Sequence, residues 1–208
     1  MNSTRESRSA LKRRAILEAA TRAFLSKGYD STSMDDVASL AKVSKPSVYR
    51  FFSDKERLFA EIISSTTDQV HIAMRDTLET LPASEDVEAD LNRLASRFLK
   101  VLMQPQVLRL RRLVIANAER FPAVCRAWYE EGFERMLGTL AGCFKELADR
   151  KLLRVSDPFI AAHHFVGLLL WIPINRAMFT GDVHASDAAK LDAYAMTAVR
   201  AFLSAYSR

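Results

Sequence analysis

Between Ser33 and Phe59 the chain reads SMDDVASLAKVSKPSVYRFFSDKERLF, and few folds accommodate that order of caps, turn and apolar residues. Ser33 is a favourable helix N-cap, and Asp36, three positions on, closes a capping-box-like pair with it. Val37, Ala38 and Ala41 share one apolar face at i, i+1, i+4 spacing. A turn passes through Lys42-Val43-Ser44. Ser44 caps the next helix, and Pro46 suits a first turn whose N–H groups have no helical partner. Val48 and Phe51 point inward, which leaves Lys45, Ser47, Tyr49 and Arg50 facing out. Ser53 with Glu56 makes a second capping box that launches a longer helix. The spacing predicts a helix-turn-helix over about residues 33–52. A short helix anchored in this way can lie in a major groove and offer its N-terminal residues to base edges.

The charge distribution points the same way. Residues 1–60 hold 12 Lys/Arg against 7 Asp/Glu, whereas residues 61–208 hold 18 of each, so the net charge of +5 sits with the motif. Phosphate attraction is the sequence-independent part of DNA affinity, and a charge polarised to one end serves it directly.

Only 6 Gly and 6 Pro in 208 residues, with 49% hydrophobic residues, predict an almost wholly helical chain with a proper core. No alternating run is long enough to suggest a sheet. The start, MNSTRESRSALKRR, lacks an apolar signal core and reads as a mobile basic arm. The longest apolar run, Phe165 to Ile174, contains Pro173 and is too short to cross a bilayer, so it reads as a buried helix. A cytoplasmic protein without membrane partners is expected. Cys125 and Cys143 fall on one apparent helix, roughly 27 Å apart at 1.5 Å per residue, which excludes an intrachain disulfide if that helix is continuous.

Along the chain the first helix is expected over Ser9–Ser26, with Ile16, Ala20, Ala23 and Phe24 inward and Gly28 as its stop. The fourth should run from Ser53 to about Thr80 and end at Pro82, its first turns fastened to the bundle by Leu58, Phe59 and Ile62. Beyond lie candidates at Ser84–Met103, Gln106–Arg120, Pro122–Arg150, Asp157–Phe179 and Asp187–Tyr206. The fold class is thus all-α with about nine helices: an N-terminal three-helix bundle with the helix-turn-helix (11–71) and a larger C-terminal unit (84–208). The last two helices are the most apolar. Phe165, Leu168, Leu169, Ile172, Leu191, Tyr194, Ala198 and Phe202 are the candidate interface of a two-fold dimer built as a four-helix bundle. Paired copies also suit half-sites spaced about 35 Å apart.

Residues 13–62 resemble the DNA-binding domain of the tetracycline-repressor (TetR) family. The likeness rests on Ala19-Ala20 with Phe24, Gly28-Tyr29, Thr32-Ser33, Val37-Ala38, Val43-Ser44, Val48-Tyr49 with Phe52, and Ser53-Asp54-Lys55-Glu56 before Leu58. Arg112 to Trp128 is similar to the C-terminal domains of AcrR- and AefR-like members. The resemblance implies an all-helical homodimer that binds an inverted-repeat operator and is released by a small hydrophobic effector. It places Lys45, Ser47 and Val48 at bases, Tyr49, Ser33 and Lys55 at phosphates, and Arg50 at either. Lys42 stands where the family usually has Gly, beside the duplex. A left-handed Lys42 would cost about 1–2 kcal/mol.

In residues 84–208 no side chains assemble into a reaction centre. His71 and His163-His164 lack metal-site spacing, and the adjacent Glu130-Glu131 point to different sides of a helix, so neither metal, cofactor nor enzymatic activity is expected. The large side chains Phe98, Leu102, Leu113, Phe121, Trp128, Tyr129, Phe133, Trp171 and Met178 are candidates for core or for an apolar effector pocket, with Asn117 as its polar handle. A same-fold activator, or a regulator that needs no effector, is the alternative reading; a helical small-molecule-binding enzyme is a more distant one.

Overall fold

The computed structural model describes residues 8–181 and 188–207. Among them are ten α-helices and no strands: α1 Arg8–Lys27, α2 Met34–Ala41, α3 Lys45–Phe51, α4 Lys55–Thr80, α5 Val87–Leu102, α6 Pro105–Ala116, α7 Pro122–Ala127, α8 Arg135–Asp149, α9 Pro158–Thr180 and α10 Ala188–Tyr206. A π-helical segment, Trp128–Glu134, joins α7 to α8 without a break, so the ten helices form nine rods. The segment expected as one α-helix over 122–150 is therefore wound more loosely at its centre, a feature that recurs at functional sites. Residues 8–14 of the expected basic arm belong to α1, while its residues 1–7, like the expected helix start at Asp187, lie outside the described residues.

Local chemistry sets the helix ends. Ser33 Oγ accepts from Asp36 N at 3.1 Å and Ser33 N donates to Asp36 Oδ2 at 2.9 Å, the reciprocal capping box. Gly28 closes α1 at φ 81°, its N–H reaching Phe24 O at 3.0 Å. The fourth helix departs from expectation: Asp54, not Ser53, is its cap. Asp54 Oδ1 accepts from Arg57 N at 2.7 Å, and Ser53 Oγ donates to the other carboxylate oxygen at 2.7 Å. A carboxylate is the better acceptor at a helix N-terminus, and those two bonds hold Asp54 below the usual carboxylate range, the one from Arg57 N first.

Two cores follow. The first gathers Ile16, Phe24, Tyr29, Val37, Val48, Phe52, Leu58 and Phe59, and it extends past the N-terminal helices to take in Leu110 and Val114 of α6 and Val124 of α7. The second packs α5, α8, α9 and α10 around Phe144, Phe165 and Phe202, whose ring centroids lie 5.1–5.7 Å apart. Helix α4, about 39 Å long at 1.5 Å per residue, serves both: Leu58, Phe59, Ile62 and Ile63 sit in the first core, Met74 and Leu78 in the second.

Helix α9 has 23 residues and, by length and composition alone, is apolar enough to cross a bilayer. The ten-residue run 165–174 is only the middle of this longer apolar helix. Its inner face, with Ala161, Phe165, Leu169 and Ile174, is packed against the protein's own core. Cys125 and Cys143 are both free, and burial pushes the Cys143 thiol up to about 11.

Candidate nucleic-acid interface and cavity

The turn between α2 and α3 is closed by Lys42 at φ 55°, ψ 42°. Its N–H reaches Ser39 O at 3.1 Å and Val43 N reaches Ala38 O at 3.1 Å, so a left-handed residue terminates the helix as glycine usually does. Ser44 occupies the N-cap position of α3 without a side-chain cap bond; its hydroxyl meets Ser47 Oγ at 2.8 Å instead.

On α3 the exposed residues are Lys45, Pro46, Tyr49 and Arg50, with Ser47 half-buried. Val48 is 0% exposed and packs in the first core. It is the anchor of the helix, and its assignment to a base or thymine methyl is corrected on that ground: no atom of it reaches the surface. Lys45 Nζ contacts Asp35 Oδ1 at 2.9 Å across the turn, and that bond raises its pKa. The Arg50 guanidinium lies 5.0 Å from the Phe51 ring centre. Ser33, Lys42 and Tyr49 are exposed on the same motif.

Lys55 is placed differently from a phosphate anchor. Its Nζ donates to Tyr29 O at 2.9 Å and Thr32 O at 3.0 Å and sits 4.3 Å from the Tyr29 ring centre. It ties α4 to the loop before α2. No sequence signal marked this, because the acceptors are backbone carbonyls more than twenty residues away.

The same loop meets the C-terminal helices. The Phe121 ring lies 4.7 Å from Tyr29 and 6.2 Å from Phe59, and Arg120 forms an ion pair with Asp30. Leu113 and Phe121, expected in a pocket, pack on the first core instead. Asn117 caps α6, its Nδ2 donating to Leu113 O at 2.8 Å. Tyr129 and Trp171 are exposed, and Met178 packs on the second core.

Phe98, Leu102, Trp128 and Phe133 do converge. With Thr67, Val70 and His71 of α4, Arg111 of α6 and Met136 of α8 they line a cavity of about 60 Å³ under the π segment. His71 Nε2 lies 3.1 Å from Gly132 O, clamping α4 to that segment.

Of the candidate dimer residues, Phe165, Leu169, Leu191, Ala198 and Phe202 are buried within this chain, and Tyr194 donates its hydroxyl to Leu168 O at 2.8 Å. Those buried five cannot form an interface. The apolar surface lies on the opposite side of α9, where Leu168, Trp171, Ile172 and Phe179 recur at i, i+3, i+4 and i+11, Trp171 72% and Phe179 86% exposed.

A short cationic helix held by a buried valine, on a capped turn, joined to a larger helical body, defines a helix-turn-helix transcription regulator. Residues 16–62 match the family described as bacterial regulatory proteins, tetR family, and residues 89–208 the AefR-like transcriptional repressor C-terminal domain. The fold superposes on a TetR-family regulator from Mesorhizobium loti with a TM-score of 0.92 at 49% identity, covering 98% of this chain and 100% of that one. It also superposes on the flavonoid-responsive regulator FrrA with a TM-score of 0.75 at 26% identity, covering 94% and 97%. The regulator YhgD of Bacillus subtilis is 41% identical over 81 residues, which are 38% of this chain and 42% of that protein; the chain thus spans less than half of that relative. The chain belongs to the TetR family of bacterial transcriptional regulators, with an AefR-like C-terminal domain.

Proposed function

We propose that the protein is a cytoplasmic, non-catalytic repressor that binds an inverted-repeat operator as a homodimer and is released by a small hydrophobic effector. The observation that carries DNA recognition is the seating of α3: Val48 is fully buried beneath it while Lys45, Tyr49 and Arg50 face out. Ser33 and Lys42 flank that face and are assigned to the phosphate backbone, Ser47 to bases. Dimerisation through the outer stripe of α9, joined by the exposed Met196 of α10, is supported by the size of the apolar side chains left uncovered.

The effector reading is supported by the cavity's position against the middle of α4, the rod shared by both cores. At about 60 Å³ the cavity is well below the 300–1,000 Å³ of typical ligand sites. A ligand would have to widen it, parting α4 from the π segment. A tenfold loss of operator affinity then requires about 1.4 kcal/mol of preference for the widened state. The same small volume favours, as a second reading, a regulator of this build that works without an effector.

Selection of bound sequences from a random duplex pool at two salt concentrations tests the proposal. Enrichment of an inverted repeat is expected; recovery of unselected sequence at both salts would refute operator binding. Release of the selected duplex by an apolar compound separates the two readings.

A further inference from the structure

We infer that the cavity takes an apolar monoanion, a carboxylate carried on a hydrocarbon body, with the Arg111 guanidinium as its anchor. The inference rests on the reading of this cavity as an effector site and adds the ligand's chemical class.

Arg111 projects from α6 among Phe98, Leu102, Trp128 and Phe133. Two other arginines of this region are held: Arg112 donates to Ala177 O and Arg120 pairs with Asp30. The half-buried Arg111 guanidinium has no hydrogen bond or ion pair among the described residues, and burial lowers its pKa. Glu130, Glu131 and Glu134 of the flanking π segment are exposed and do not line the cavity. The one other titratable side chain on the lining, His71, already has Nε2 against Gly132 O at 3.1 Å.

A guanidinium cannot shed its proton in a protein, so desolvating it without a partner leaves a charge that the surroundings must satisfy. Its planar fork matches a carboxylate with two parallel bonds, a strong charge-assisted arrangement. The remaining walls are nearly all apolar and reward a hydrocarbon body. A neutral hydroxyl of equal reach would give the guanidinium a single uncharged acceptor, a weaker partner than the two oxygens of a carboxylate. A cation would be repelled.

The test compares decanoate with decanol, and naphthoate with naphthylmethanol, by titration calorimetry on the full chain and on Arg111→Met and Arg111→Lys. Each acid should bind the unaltered protein at least about tenfold more tightly than its alcohol. Arg111→Met should erase that preference while leaving alcohol binding within about twofold, and Arg111→Lys should restore part of it. Equal binding of acid and alcohol to the unaltered protein, or absence of acid binding with operator binding intact, overturns the assignment. So does a loss of both ligands in Arg111→Met with helicity and Tm unchanged. If the acid binds with the stated preference but does not loosen the operator, the anion site stands and the release mechanism falls.

Discussion

Replacing Lys55 with methionine separates two roles that the same residue could hold. As a phosphate contact, Lys55 would contribute one released counterion, and its loss would flatten the slope of log K against log salt by about 0.9. The structure places it otherwise: Nζ reaches two carbonyl oxygens at 2.9 and 3.0 Å and lies over the Tyr29 ring. Hydrogen bonds to a charged group are worth about 1.5–3 kcal/mol each, and a cation–π contact at a partly exposed site about 0.5–1 kcal/mol. Methionine keeps the aliphatic packing and removes the charge's own desolvation, so about 2 kcal/mol is the net loss. For a chain of this size that is a fall in Tm of about 4–8 °C. DNA affinity should fall in parallel at every salt concentration, because the loop carrying Ser33 loosens while the number of phosphate contacts is unchanged. Thermal unfolding and a salt series on one duplex supply both readouts. An unchanged Tm with a slope shallower by nearly one unit would refute the structural role.

Lys42→Gly relieves the left-handed strain of about 1–2 kcal/mol against a glycine entropy term of about 0.5–1 kcal/mol, so Tm should rise by roughly 1–4 °C; a fall in Tm would contradict this. Asp36 is held at about 2, first by the bond from Ser33 N and then by those from the Ser33 hydroxyl and Lys27. Its folded pKa lies below the ordinary 3.8, so its contribution is complete above about pH 4 and is lost as pH falls toward 2. Asp36→Asn should therefore lower Tm at pH 7 and flatten the Tm–pH curve between pH 4 and 2; an unaltered curve counts against the capping box. Phe121→Ala removes the ring between Tyr29 and Phe59 and should cost about 2–4 kcal/mol of stability. Effector binding should survive while the effector's tenfold release of operator shrinks to about twofold; full release in that variant would place the coupling elsewhere. Trp171→Glu with Ile172→Glu should yield monomers in sedimentation at micromolar concentration, whereas a persistent dimer would move the interface off this stripe.

The motif at 33–52 could be read because its determinants act within one helical turn. A serine cap, an aspartate three residues on and a turn residue with a positive φ are local choices. The structure bears out the pair at Ser33 and Asp36, and it places Lys42, left open in the sequence, in the left-handed region. Where two neighbouring side chains compete for one cap, local reading chose wrongly: Ser53 was expected and Asp54 does the capping. The all-helical class and the nine rods were similarly accessible, since sparse Gly and Pro and helical periodicity reflect backbone preferences.

Faces are another matter. The apolar stripe of α10 through Leu191, Ala198 and Phe202 was apparent in the sequence, yet periodicity says only that a face is covered, not by what. The structure turns it onto Phe144 and Phe165 of the same chain and leaves the other side of α9, with Trp171 and Phe179, uncovered. Likewise Phe98, Leu102, Trp128 and Phe133 come together around Arg111 while Leu113 and Phe121 go to the other core. Charge and the approximate starts of the helices are properties of neighbouring residues, and they follow from the order of amino acids alone. The seating of Lys55, the isolation of Arg111 and the outward side of α9 arise from contacts between segments tens of residues apart, where burial is settled by how the helices pack.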